Sequence, residues 1–171
     1  PRVPAADGIR DPDHSLVGSE MCIRDRIRYA DVKGYTYARG DVTGKGLANA
    51  YSQAVGQIFT HEVKPYEVEV LVAELGDDEN HLYHVRFDGT LRDQHGFATL
   101  GGDEDRLIEP LTAGYRAGMS LEEALALTTS AIRDTADEST PDSDWEAAVL
   151  DRTLGRRKFR RLESSEIEAA G

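Results

Sequence analysis

The sequence predicts an α+β fold, in which helices and strands form separate groups along the chain rather than alternating regularly. The first observation is a helix pattern over residues 43–63 that is followed at once by a strand pattern over residues 66–75. The second is a pair of helix patterns, over residues 103–117 and 120–135, with strand patterns before and after them. Two consecutive helices between strands predict a helical layer that covers one face of a sheet.

The first helix is predicted from apolar residues that recur three and four positions apart, so that they share one helical face. Asp41 or Thr43 can cap the start of this helix, and Pro65 cannot extend it. Every second residue in the segment 68–72 is valine, which predicts a strand with one apolar side. The apolar face of the helix consists of Leu47, Ala50, Tyr51, Ala54, Val55, Ile58 and Phe59.

The remaining elements follow from turn residues and alternation. A strand over residues 81–87 and a further short strand that ends at Leu100 flank a hairpin turn at Asp88-Gly89. The segment 27–39 mixes tyrosines with charges around a glycine, and we interpret it as loop or irregular strand. Pro110 should kink or shorten the helix over residues 103–117.

The helix over residues 120–135 begins with a capping box, because Ser120 is followed three residues later by Glu123. Towards the C terminus, residues 145–150 and 158–162 bracket a turn at Gly155 and predict a last hairpin. We expect a C-terminal tail over residues 164–171 that forms a frayed helix.

Composition limits the class of protein. The 171 residues suffice for one domain with a hydrophobic core, and no apolar run approaches the roughly 20 residues that a membrane helix needs. A formal net charge of −12 argues against a general nucleic-acid-binding protein, which would carry a basic surface. The single cysteine, Cys22, excludes a framework of disulfides within the chain.

Residues 1–26 are expected to be a non-native leader. Within them, residues 15–26 (SLVGSEMCIRDR) resemble the conceptual translation of a transposon-end adapter used in preparing DNA sequencing libraries. We therefore exclude this segment from the fold prediction, because a foreign leader carries no information about the native fold.

The candidate chemical motifs are weak. The glycines around Lys45 lack the spacing of a phosphate-binding loop, and Gly46 supplies no hydroxyl for magnesium. His81 and His84 lie three apart on a predicted strand, so their rings point to opposite faces and surface histidines are expected. Gly89-Thr90 resembles a self-processing site, but it falls in a hairpin turn where cleavage would divide the fold.

The basic cluster of residues 156–161 (RRKFRR) could contact nucleic acid. On an alternating strand its charges divide between two faces, so a solvated edge or a subunit contact is the favoured interpretation.

A series of short segments, taken in order, resembles one known family. The series resembles the proteasome α subunit of the actinobacterial type over residues 27–163, which we take as one partial domain. It consists of residues 28–37, 41–44, 47–51, 58–60, 64–69, 82–83, 87–89, 100–102, 120–121, 146–151 and 157–161.

This resemblance implies a four-layer αββα sandwich of the N-terminal-nucleophile-hydrolase type, incomplete at its N terminus. It implies a cytoplasmic, non-catalytic α-ring subunit of a bacterial proteasome core, which is a threonine endopeptidase complex. The heptameric ring would form the antechamber and entrance for ATP-dependent degradation of tagged proteins. The implied partners are other α subunits, β subunits that supply the catalytic threonine, and an ATPase or other ring activator, with no nucleic acid and no membrane.

The resemblance assigns no catalytic, cofactor-binding or metal-binding residue to this sequence. The residues of the family that gate the ring and dock activators would precede Ile27, so they match no position here. As candidate subunit contacts we name three residues of the segment 27–39, because loops on a rigid scaffold often carry contacts. They are Tyr35, Tyr37 and Arg39.

Two other functions remain open at this point. A β-type subunit, or a related N-terminal-nucleophile hydrolase, would need a threonine, serine or cysteine exposed by processing upstream of Ile27, with a lysine partner. An unrelated acidic interaction domain would account for the charge without any enzyme complex.

Overall fold

The protein is described by a computed structural model that covers residues 28–34, 36–64, 68–76, 79–101, 104–135, 145–155 and 157–170. The predicted leader, residues 1–26, lies outside these ranges. The chain divides into two compact units. The first contains the chain up to Val72 and the segment Val85–Arg92, and the second contains Ala73–His84 and the chain from Asp93 onwards.

The described part of the first unit begins with a helix where the sequence predicted loop or irregular strand. Residues 28–34 form helix α1, and the amide of Tyr37 still donates to the carbonyl oxygen of Lys33 at 3.1 Å. A 3-10 turn follows at Arg39–Asp41. The prediction was wrong because this short segment has too few periodic apolar positions to indicate a helix, and its Tyr29 and Val32 side chains remain exposed.

Helix α2 (Gly44–His61) confirms the main helix prediction and its cap. The Thr43 side chain accepts a hydrogen bond from the amide of Gly46 at 3.1 Å, which satisfies one of the free donors of the first turn. The buried stripe consists of Ala48, Tyr51 and Val55. It differs from the predicted face at one end, since Phe59 is 41% exposed.

Three strands form one sheet in the order β1-β2-β3. Strand β1 (Val70–Leu75) shows the predicted alternation, because Val72 is buried between the exposed residues Leu71 and Ala73. Strand β2 is Asn80–Val85, and strand β3 is Leu91–Gln94. The short strand that was expected to end at Leu100 lies earlier in the chain. Because the turn at Asp88-Gly89 is tight, its partner strand β3 begins at Leu91 and already ends at Gln94.

Helices dominate the second unit, and α4 contacts the other two. They are α3 (Glu104–Gly114), α4 (Leu121–Thr135) and α5 (Ser164–Ala170). Pro110 lies inside α3, and this helix ends at Gly114, earlier than the sequence indicated. Helix α5 agrees with the helical tail expected at the C terminus.

The capping box of α4 is confirmed in both directions. The amide of Glu123 donates to the Ser120 hydroxyl at 3.1 Å, and the amide of Ser120 donates to the Glu123 carboxylate at 2.8 Å. Two amides of the helix start are thus satisfied by side chains of the same turn.

The predicted last hairpin is also present. Strands β4 (Ala148–Leu150) and β5 (Phe159–Arg161) pair antiparallel, with Val149 opposite Arg160. Helices and strands are grouped as the sequence indicated, so the α+β class is confirmed.

Candidate functional site

Two aromatic rings lie together on the first unit and remain open to solvent. Phe59 of α2 and Phe87 of the β2–β3 turn meet edge to face, with ring centroids 5.9 Å apart. Phe59 is 41% exposed and Phe87 is 40% exposed. Exposed paired rings are typical of interaction surfaces, because they offer a large apolar area at low entropic cost. We name this pair the Phe59–Phe87 surface.

Charged side chains border the surface. The Arg86 guanidinium lies 5.9 Å from the centroid of the Phe87 ring, within the range of a cation–π contact. Its Nε atom also lies 3.5 Å from the Glu69 carboxylate. On the side of Arg86, the border of the surface therefore carries one positive and one negative charge that offset each other.

Helix α2 and the β2–β3 turn are held together by a backbone contact. A side-chain Cβ placed on Gly89 would lie 2.7 Å from the Cα and the amide nitrogen of Gly56. Gly89 also has a φ of +85°, which other residues rarely adopt. The Ser52 hydroxyl donates to the Gly89 carbonyl oxygen at 2.5 Å. This contact positions Phe87 beside Phe59.

The turn itself is closed by its own hydrogen bonds. The amide of Thr90 donates to the Asp88 carboxylate at 2.8 Å, and the amide of Arg86 donates to the Thr90 carbonyl oxygen at 2.9 Å. The bond from Thr90 lowers the pKa of the Asp88 carboxyl below its usual value. Thr90 is thus an internal turn residue whose amide is engaged, which argues against a role for Gly89-Thr90 in self-processing.

The three candidate contact residues have different outcomes. Tyr37 follows α1, and its side chain is 75% exposed, as a contact residue requires. Arg39 opens the 3-10 turn, and nothing further is described of its side chain. Tyr35 lies outside the described residues. A role for these residues in subunit contacts stays a prediction.

Two arginines of the basic cluster in the second unit are paired with acids. The Arg160 guanidinium donates to both carboxylate oxygens of Glu166, at 2.8 and 2.9 Å, and Arg161 lies 3.6 Å from Glu146. The amide of Glu163, followed by Arg160, lowers the pKa of Glu166. Ion pairing reduces the positive charge offered by this edge and favours a structural role for it.

One histidine prediction was wrong. His81 is half-buried and stacks on Tyr83 with centroids 6.2 Å apart, whereas His84 is only 4% exposed instead of lying at the surface. The end of β2 is covered on both faces, because Tyr83, His84 and Val85 are buried in succession. Within the described ranges, no group of three or more histidine, cysteine or acidic side chains could hold a metal ion.

Among the helices in the described part of the chain, none is both long enough and apolar enough to span a lipid bilayer.

The sequence did not predict the contact of Ser52 and Gly56 with Gly89. Helical periodicity marks α2 and the dipeptide Asp88-Gly89 marks the turn, but neither pattern indicates that they touch. Serine and glycine on a helix normally suggest exposure, and here they mark the place where a second backbone approaches.

Comparison with known proteins places this chain beside the subunits of one complex. The family model described as "Proteasome subunit" matches residues 24–150. The proteasome subunit alpha of Streptosporangium roseum is 48% identical over 144 residues, covering 83% of this chain and 56% of the relative. That of Kineococcus radiotolerans is 48% identical over 147 residues, covering 80% of this chain and 62% of the relative.

A third relative gives the same result. The proteasome subunit alpha of a Nocardioides species is 47% identical over 148 residues, covering 83% of this chain and 58% of the relative. The chain therefore spans somewhat more than half the length of the relatives that it matches.

Proposed function

Because this chain belongs to the proteasome subunit family, with its N-terminal-nucleophile-hydrolase-like α+β fold, we propose that it acts as a non-catalytic α-ring subunit of a bacterial proteasome core. Its ring forms the antechamber and the entrance through which tagged proteins reach the inner chamber for ATP-dependent degradation. The observation that carries this proposal is 48% identity to proteins named proteasome subunit alpha. Residues 27–163 form the α-type domain of this proposal, and residues 164–171 its tail.

In the proposed mechanism, the ring controls which proteins reach the inner chamber and performs no chemistry itself. A ring excludes folded proteins by size, and the chemistry belongs to β subunits stacked below it. The proposed partners are other α subunits, β subunits and an ATPase or other ring activator in the cytoplasm.

The Phe59–Phe87 surface and Tyr37 support assembly with other subunits. These side chains are large, apolar and exposed on the first unit. Aromatic residues are enriched at the centres of protein interfaces, where their burial supplies much of the binding energy. We assign this surface and Tyr37 to contacts with neighbouring subunits.

Co-expression with a proteasome β subunit tests the proposal. We expect the chain to co-purify with β in a stoichiometric complex, with sevenfold rings visible by electron microscopy and the mass confirmed by native mass spectrometry. A chain that stays monomeric while β assembles alone would contradict it. Peptidase activity of the chain without β, blocked by a threonine-directed inhibitor, would instead favour the β-type alternative.

A matched pair of variants tests the contact assignment. Tyr37→Ala removes an exposed aromatic ring from the first unit and should weaken assembly, with a rise in the β concentration needed for half-maximal complex formation. Phe159→Ala removes a 54% exposed aromatic ring from β5 in the second unit and serves as the control. Equal effects of the two substitutions would show that Tyr37 has no special role.

A further inference from the structure

The turn between α3 and α4 is closed by a methionine thioether. The amide of Arg116 donates to Sδ of Met119 at 3.3 Å, and the amide of Met119 donates to the carbonyl oxygen of Arg116 at 3.3 Å. Gly118 between them has a φ of +83°, which lets the chain reverse within four residues. Thioether sulfur is a weak acceptor, so this turn depends on a hydrogen bond that a change at sulfur can remove.

The same thioether lies at the edge of a cavity of about 270 Å³ in the second unit. Leu111 and Tyr115 from one side of the turn, and Leu127 from α4, form much of its apolar lining. Met119 is half-buried, so it faces these residues while solvent still has access to part of the side chain. A small polar oxidant can therefore reach a sulfur whose surroundings are mainly apolar.

The residue after Met119 is the N-cap of α4. Ser120 and Glu123 exchange the two hydrogen bonds of the capping box, and an Arg116 guanidinium nitrogen lies 3.4 Å from the Glu123 carboxylate. The turn, the cap and this ion pair are thus connected through neighbouring residues. A displacement of Met119 is transmitted directly to the start of α4.

We propose that Met119 is a redox-sensitive modification site, at which a hydroperoxide converts the thioether to a sulfoxide and opens the connection between α3 and α4. The sulfur attacks the distal oxygen of the hydroperoxide, an S–O bond forms, the O–O bond breaks, and the proton of the distal oxygen passes to the departing oxygen. Sulfur loses two electrons and the hydroperoxide is reduced to the alcohol, or to water when the oxidant is hydrogen peroxide. A thiol-dependent methionine sulfoxide reductase reverses the step.

Oxidation changes the turn in two ways. The hydrogen bond from the Arg116 amide to sulfur is replaced by one to an oxygen in a different position, so the present geometry of the turn is lost, and a polar oxygen is added to a side chain that lines an apolar cavity. The second effect favours an open turn in which Met119 and its oxygen reach water. The cap at Ser120 then loses its fixed geometry, and the first turn of α4 frays.

Limited proteolysis measures this opening, because the turn contains one trypsin site, between Arg116 and Ala117. The experiment uses the Met21→Leu chain, in which Met119 is the only methionine. After hydrogen peroxide treatment and mass confirmation of the sulfoxide, we expect cleavage after Arg116 to accelerate about fivefold, since cleavage follows the population of the open form. Treatment with the reductase and dithiothreitol should restore the original rate.

The control is the Met21→Leu/Met119→Leu chain, whose side chain has nearly the same volume and cannot form a sulfoxide. Its cleavage rate should not respond to peroxide. The proposal is overturned if the control accelerates equally, if Met119 sulfoxide forms without faster cleavage, or if the reductase removes the sulfoxide without restoring the rate. Circular dichroism of the control confirms that it is folded before the comparison is made.

Discussion

The two units fix their turns by different means. In the first unit, the β2–β3 turn is held against α2 by a backbone contact between Gly89 and Gly56, 33 positions apart in the numbering. In the second unit, the turn before α4 is held by the capping box of Ser120 and Glu123, three residues apart. One turn therefore depends on a close approach of distant segments, and the other depends on local hydrogen bonds.

Gly89→Ala should have the largest effect on stability. A methyl group there would lie 2.7 Å from the backbone of α2, at a φ of +85° that alanine rarely adopts. The strained backbone costs about 1–2 kcal/mol, and the overpacking adds about 1–3 kcal/mol. Urea unfolding followed by circular dichroism measures the loss in the free energy of unfolding.

Gly118→Ala is the matched control for that substitution. Gly118 has nearly the same φ, +83°, and beyond its own chain neighbours no heavy atom lies within 4 Å of the position that a Cβ would take. Its loss should be limited to the strained backbone, about 1–2 kcal/mol. Equal losses at the two positions would show that the contact with α2 contributes nothing and would remove the contrast between the units.

Ser52→Ala should have a smaller effect than either of these glycine substitutions. It removes the hydroxyl that donates to the Gly89 carbonyl oxygen and leaves this acceptor half-buried without its partner. The expected loss is about 1 kcal/mol. Thr60→Ala on the same helix is the control, because the Thr60 hydroxyl bonds only within α2. A loss for Thr60→Ala equal to that for Ser52→Ala would contradict a special role for the contact.

Much of the fold could be predicted because its signals are local. The N-cap at Thr43, the box at Ser120 and Glu123 and the hairpin around Gly155 each lie within a few residues of the structure that they determine. Helix α1 was missed because a short stretch with tyrosines and a glycine carries too few periodic positions to outweigh its irregular composition.

The candidate site was harder to predict for a physical reason. The Phe59–Phe87 surface exists only because α2 and the β2–β3 turn meet, and that meeting depends on the close approach of Gly89 to the backbone of α2, which no side chain signals. Tyr37 was named from the character of its segment, and its side chain is highly exposed, but its role in subunit contacts stays a prediction. His84 was misplaced because period two describes a strand with one open face, whereas the end of β2 is covered on both.

Acid should weaken the capping box of Ser120 and Glu123 in the second unit. The amide of Ser120 lowers the pKa of Glu123 below its usual value of 4.5, so the carboxylate stabilises the folded state above that pH. This contribution is lost as pH falls from 4.5 through the lowered pKa. Glu123→Gln should therefore flatten the fall in stability below pH 4.5, as measured by thermal unfolding across a pH series. Glu122→Gln removes the same charge from the same turn without touching the capping box, and serves as the matched control.

Gly56→Ala should have the smallest effect on the free energy of unfolding. The sign of this effect shows whether the backbones of α2 and of the β2–β3 turn require a glycine on the helix side of their contact. A Cβ on Gly56 would lie 3.6 Å from the carbonyl oxygen of Asp88 and 3.7 Å from Cα of Gly89, which are ordinary contact distances. Alanine is favoured over glycine inside a helix by about 1 kcal/mol, so unfolding measurements should show an unchanged or slightly increased stability. The contact would then require a glycine in the β2–β3 turn, at Gly89, but not in helix α2. A loss as large as that of Gly89→Ala would show instead that both glycines are required, and that the whole contact is tighter than these distances indicate.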